Sequence, residues 1–258
     1  MASQGQQFPP QRQETQPGKE HAMDPNPQFT SPEYKPFNKL RGTTALVTGG
    51  DSGIGRAVCH SAALEGATVA FTYVKGQEDK DAQDTLREIK VAKTLDAKDP
   101  IAVPADLGFD ENCKRVVDEV VNAYGRIDIP LNNAAAQYNA STIEEIDEEK
   151  LERVFRTNAC FVGSSISNTT SVNAYKGNAK LLDYTATKGA IVAFTRGLAL
   201  QLVDDEEETA QFCSQVPMKR AGQPIEVAPS YVFLACNHRS SYISGQVLHP
   251  NSGTIVNA

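Results

Sequence analysis

TTALVTGGDSGIGRAVCHSAALEGATVAFTYV, residues 43–74, sets two short apolar runs on either side of a glycine-rich turn and a stretch of helical spacing. The runs at 43–47 and 68–74 read as buried strands, and 56–67 reads as the helix that joins them. A strand–helix–strand unit of this length makes its two strands parallel. Between the first strand and the helix lies 48–55, where Gly49, Gly53 and Gly55 permit a tight turn. Together with Asp51, Ser52 and Ile54 they bring backbone N–H groups and a helix start up to a pyrophosphate, so the loop predicts a dinucleotide site.

The end of the second strand bears on which dinucleotide. Enzymes that choose NAD usually carry a carboxylate there for the ribose 2′-hydroxyl. Here Tyr73 occupies that position and Lys75 follows, so a 2′-phosphate is expected to meet no repulsion and to gain a cation. NADP(H) is the expected cofactor, with NAD(H) the alternative.

The same alternation continues downstream through DAQDTLREIKVAKTL, IAVPADL, ENCKRVVDEVVNAYG and IDIPLNNAAA. Continuous apolar strands separated by amphipathic helices predict an α/β fold, a doubly wound parallel sheet covered on both faces. Upstream the pattern fails, because seven of the fourteen prolines precede Phe37 among seven glutamines. Residues 1–40 therefore read as a Pro/Gln-rich tail or strap, and 41–258 as a single domain. The tail is expected to contribute no catalytic group.

The chain has 258 residues and a net charge of −7, which gives no basic face for nucleic acid or an anionic membrane. No apolar run has the length of a membrane span, and the first twenty residues lack the apolar centre of a secretory signal. An intracellular protein is expected, in the cytoplasm or alternatively the plastid. Five cysteines without a C-x-x-C pair suit reduced, buried thiols, and four scattered histidines predict no metal site.

In DYTATKG, 183–189, Tyr184 and Lys188 stand four apart and so share one face of a helix. Such a pair is common in amphipathic helices, and its surroundings give it weight. With TGGDSGIG at 48–55, Asp106, NNAA at 132–135 and Ser171 thirteen residues before Tyr184, the chain resembles the short-chain dehydrogenase/reductase family. Its tail PGKEHAM and the stretch around Tyr184 further resemble the plant glucose and ribitol dehydrogenase homologues, which include NADPH-dependent aldehyde reductases.

The resemblance implies a Rossmann fold and hydride transfer between a nicotinamide and a small aldehyde, ketone, sugar or polyol. It implies that Tyr184 gives or takes the proton, that Lys188 favours the phenolate and holds the nicotinamide ribose, and that Ser171 orients the substrate oxygen. Asn158 would hold a water connecting Lys188 to solvent. Asp106 and Leu107 would contact the adenine, and Asn133, Ala134 and Ala135 would line the cofactor. A homo-oligomer is the expected assembly.

Two departures from the family pattern stand out. Only thirteen residues separate Asn158 from Ser171, roughly half what the family carries, so about three and a half turns of the fourth crossover helix are missing. The sixth strand and a Pro-Gly loop expected after GLALQLV are missing too. The fold is therefore expected to be incomplete at those two places, with either the sheet face under that helix left bare or Asn158 displaced. The strand GQVLHP, 245–250, would lack its usual neighbour, and Pro130 removes a donor from a central strand. These gaps support an alternative: a dinucleotide-binding but catalytically impaired variant that acts by associating with full-length relatives.

Overall fold

The computed structural model describes residues 19–158, 167–202 and 223–236, together with Leu248 and Pro250. Five parallel strands form the sheet: β1 (Thr44–Val47), β2 (Thr68–Tyr73), β3 (Ile101–Pro104), β4 (Ile129–Asn132) and β5 (Ser167–Asn168), in the order β3-β2-β1-β4-β5. Each connection between successive strands carries a helix. These are α1 (Gly53–Leu64), α2 (Asp79–Ala92), α3 (Asp110–Tyr124) and α4 (Glu148–Asn158). After β5 come a short α5 (Asn173–Lys176), the long α6 (Leu182–Leu202) and α7 (Pro224–Ala235).

Side-chain alternation along the strands divides the core in two. Ala45 and Val47 of β1, with Val69 and Phe71 of β2, pack toward α1, α2 and α7 through residues such as Val58, Ile89 and Val232. Leu46 and Ala70 face the other way, onto Val116 and Val120 of α3. Because both faces are covered, the strands are apolar throughout, and the chain is a doubly wound parallel α/β sheet.

Helix α1 starts at Gly53, three residues earlier than its apolar spacing indicated, so the last turn of the glycine loop is already helical. It ends at Leu64, where Glu65 and the left-handed Gly66 turn the chain into β2. Pro130 is accommodated between Asp128 N–H donating to Thr44 O (2.9 Å) and Leu131 O accepting from Thr48 N–H (3.0 Å). The ladder is thus held on either side of the missing donor.

Of the two expected outcomes, displacement of Asn158 does not occur. It closes α4 as a buried residue fastened to two other segments. The rest of the crossover after Asn158, the expected gap after α6 and most of the 245–250 strand lie outside the described residues.

Residues 19–40 run over α1 and α2. Two of their anchors are Glu20, in a short 3₁₀ turn, and Glu65 at the end of α1, which binds the far end of the segment. Glu65 accepts the Tyr34 hydroxyl (2.6 Å) and the N–H groups of Phe37 (3.0 Å) and Lys39 (2.9 Å), and pairs with the Lys39 ammonium.

Candidate active site

The carboxyl ends of β1, β2, β3 and β4 open onto one cleft of about 300 Å³. Thr48, the last residue before the glycines, accepts the N–H groups of Asn133 (2.9 Å) and Ala134 (3.0 Å) with its hydroxyl. Asn133 answers by donating its side-chain amide to the carbonyls of Thr48 (3.2 Å) and Gly49 (3.0 Å). The glycine loop is thereby locked to the end of β4. Gly53 has φ +52°, a left-handed conformation that side chains resist. Gly55 is needed for closeness, since a Cβ there would lie 1.9 Å from the Gly49 carbonyl oxygen.

Of the residues predicted to hold a cofactor, Gly49, Asp51, Ser52, Tyr73, Asp106, Leu107, Asn133, Ala134 and Ala135 line this cleft. Gly53, Ile54 and Gly55 shape the loop without lining it, and Lys75 is exposed outside it. Asp106 accepts Gly108 N–H (3.0 Å) and pairs with Arg153 of α4 (2.7 Å), whose guanidinium also stands over the Phe109 ring.

The expectation that a 2′-phosphate would meet no like charge is corrected here. Asp51 and Glu78 both line the cleft together with Tyr73. Burial, together with the charges of Glu78 and Asp81, pushes Asp51 up to about 7. Glu78 is tied by accepting Val74 N–H (2.7 Å) and faces the Lys19 ammonium at 3.7 Å.

Next to the cleft, α6 carries Tyr184 and Lys188 on one face, and the Lys188 nitrogen lies 5.4 Å from the centre of the Tyr184 ring. Ser171 lies close enough to the Tyr184 hydroxyl to act on its titration. Lys188 is 1% exposed and donates to the Thr169 carbonyl at 2.7 Å. Asn158 accepts Ala136 N–H (2.7 Å) and donates to the Ala136 carbonyl (3.0 Å) and the Thr187 hydroxyl (3.0 Å). It therefore joins α4, the segment after β4 and α6.

Electrostatics at this group differ from the expectation that Lys188 would favour the phenolate. Burial raises the Tyr184 phenol above its ordinary range, and Ser171 offsets this only in part. Lys188 is pushed down by the same burial to about 8. At neutral pH the pair is a protonated phenol beside an ammonium close to its own titration, an arrangement suited to giving a proton.

Four supporting residues escaped the sequence reading: Thr169, Thr187, Arg153 and Tyr231. Tyr231 of α7 exchanges a hydrogen bond of 2.6 Å with the Thr169 hydroxyl, and so fixes the carbonyl that receives Lys188. Their spacing carried no signal, because each acts across elements distant in sequence. Polar side chains in the otherwise apolar α7 were the available clue.

A parallel sheet with a glycine loop after its first strand, next to a half-buried tyrosine and a buried lysine, defines a class of dinucleotide-dependent α/β oxidoreductases. Comparison with known proteins narrows it. Residues 43–163 match the short chain dehydrogenase family. The chain is 66% identical to NADPH-dependent aldehyde reductase 1, chloroplastic, of Arabidopsis thaliana, over 96% of this chain and 98% of that one. It is also 66% identical to the glucose and ribitol dehydrogenase of Daucus carota, with the whole of both chains covered. Among solved structures, the NADH-dependent reductase A1-R′ complexed with NAD superposes with a TM-score of 0.73 at 27% identity, over 85% of this chain and 99% of that one. The chain belongs to the short-chain dehydrogenase/reductase family, and is an oxidoreductase of that family. The alignment with the carrot protein runs over 293 positions against 258 residues here, so about 35 of its positions have no counterpart in this chain.

Proposed function

We propose that the chain reduces small aldehydes or ketones, or oxidises sugars or polyols in reverse, with NADP(H), and that Tyr184 is its proton donor. The observation that carries this reading is the half-buried Tyr184 with Ser171 near its hydroxyl and the buried Lys188 amine 5.4 Å from the centre of its ring. The cleft fits a dinucleotide: a Cβ on Gly55 would strike the loop backbone, and nine of the predicted contact residues line the space. Gly49, Asp51 and Ser52 would hold the pyrophosphate side, Gly53, Ile54 and Gly55 would set the helix start behind it, and Asp106 and Leu107 would meet the adenine. Asn133, Ala134 and Ala135 would line the path toward the nicotinamide.

When bound, the nicotinamide dinucleotide supplies or accepts the hydride. Ser171 orients the carbonyl oxygen, and Tyr184 gives that oxygen its proton. Lys188 holds the ribose and, with Asn158, supports proton return. Tyr73, standing where NAD enzymes carry a carboxylate, favours the phosphorylated cofactor, with Lys75 just outside the cleft. The printed name of the Arabidopsis relative points the same way.

The reading treats 41–258 as one domain preceded by the 1–40 tail. It assigns the protein to a reducing compartment, cytoplasm or plastid, which suits the buried thiol of Cys59. A homo-oligomer is the proposed assembly.

The unmatched alignment positions favour a second reading, in which the chain binds the dinucleotide without turnover and associates with full-length relatives. One experiment separates the two. NADPH oxidation is followed at 340 nm with a panel of small aldehydes, beside direct measurement of NADPH binding. Turnover that Tyr184→Phe removes supports the first reading, whereas tight binding without turnover supports the second.

A further inference from the structure

The predicted tail holds a residue that reaches the back of the glycine loop. Glu20 is 3% exposed, and its carboxylate accepts Gly53 N–H while pairing with Arg56 Nη1 at 2.6 Å. Arg56 is itself buried, and it donates from Nε to the Asp51 carbonyl (2.9 Å) and the Thr85 hydroxyl (2.8 Å). From Nη2 it donates to the carbonyl (3.1 Å) and carboxylate (3.3 Å) of Asp81. Thr85 donates to the same Asp51 carbonyl at 2.8 Å. Both ends of the 51–53 turn are thus gripped from the side away from the cleft, one through Arg56 and one by Glu20 directly.

The segment around Glu20 is fastened independently. His21 N–H donates to Asp81 Oδ1 (3.0 Å) and its ring meets Asp81 Oδ2 (2.6 Å). Asn26 donates to the Glu20 carbonyl at 2.8 Å, and the Arg56 guanidinium stands over the Phe29 ring. A carboxylate delivered to a buried arginine and a loop N–H in this way is a built contact, because a buried charge left unpaired would cost several kcal/mol.

We propose that Glu20 is a positioning residue for the dinucleotide loop: acting through Gly53 and Arg56, it holds the 49–55 backbone in the shape the cofactor requires. This rests on the dinucleotide reading given above, and it gives the tail a role in cofactor affinity. Glu20 is not among the residues that line the cleft.

The test uses the full chain with Glu20→Ala and the near-isosteric Glu20→Gln, beside Tyr34→Phe, which loosens the same strap at its far anchor. Three quantities are measured: the NADPH dissociation constant, the midpoint of thermal unfolding, and amide hydrogen exchange of 49–56 without cofactor. Losing a buried charge-assisted contact to the loop is expected to weaken NADPH binding about tenfold or more in both Glu20 variants. Exchange should quicken within 49–56, while Tyr34→Phe lowers the unfolding midpoint and leaves both other quantities unchanged. Unchanged affinity and exchange in the Glu20 variants would overturn the proposal, as would a loss of affinity that Tyr34→Phe reproduces. If the unaltered chain binds no dinucleotide, it is the dinucleotide reading that fails. The exchange measurement then decides alone, faster exchange confined to 49–56 supporting the positioning role and none overturning it.

Discussion

Tyr184 and Lys188 owe their chemistry to burial more than to each other. Raising the phenol and lowering the amine keeps the transferable proton on Tyr184 through neutral pH, so carbonyl reduction should be flat in pH until Lys188 discharges near 8. Above that the rate should fall, and in Lys188→Met the break should vanish along with most of the activity. A pH profile of kcat/KM for an aldehyde checks both outcomes. Tyr184→Phe should cost about a hundredfold or more in turnover while NADPH still binds, since only the proton is lost. Tyr184, Lys188 and Ser171 could be singled out because their spacings are local and match the family pattern; the roles given to them are part of the proposal. The direction of the electrostatics was not, because it depends on how deeply α6 is covered. Displacement of Asn158 was one of two outcomes drawn from residue counts, which say nothing of its bonds to Ala136 and Thr187.

Among strands, helices and loops, the glycine loop and α7 carry the most testable geometry. A methyl group on Gly55 would sit 1.9 Å from the Gly49 oxygen, so Gly55→Ala must force the loop off Asn133. Dinucleotide binding should be lost while far-ultraviolet circular dichroism stays close to that of the parent. Tyr231→Phe removes the 2.6 Å bond to Thr169 and should cost about 1 kcal/mol in denaturant unfolding. Apolar alternation revealed β1 to β4 and α1 to α3 within a few residues, since each buries a continuous apolar face. It placed the start of α1 three residues late because glycines carry no hydrophobic signal. The two-residue β5, Ser167–Asn168, has no apolar pattern of its own and takes its place by pairing with Leu131 and Asn132.

Stability as a function of pH gathers contributions from the site into one measurable curve. Asp51, raised from an ordinary 3.8 to about 7, adds stability that is complete below pH 4 and is lost as pH rises through 7. Asp51→Asn should therefore raise the thermal midpoint by several degrees at pH 8 and have little effect at pH 4, a difference that calorimetry at the two values resolves. Lys188 acts on the alkaline side, where its penalty is relieved between about 8 and 10.5. The strap that grips the glycine loop also imposes an order of events during synthesis. Gln28 donates its N–H to the Gln223 side chain (2.8 Å) and accepts Ile225 N–H (3.3 Å), so a segment near the start of the chain is clasped by the helix that follows residue 223. The strap must wait for residues 195 positions later in the chain before that clasp can close. Nascent chains that already hold β1, α1 and β2 but not α7 will carry a glycine loop whose strap has only part of its final moorings.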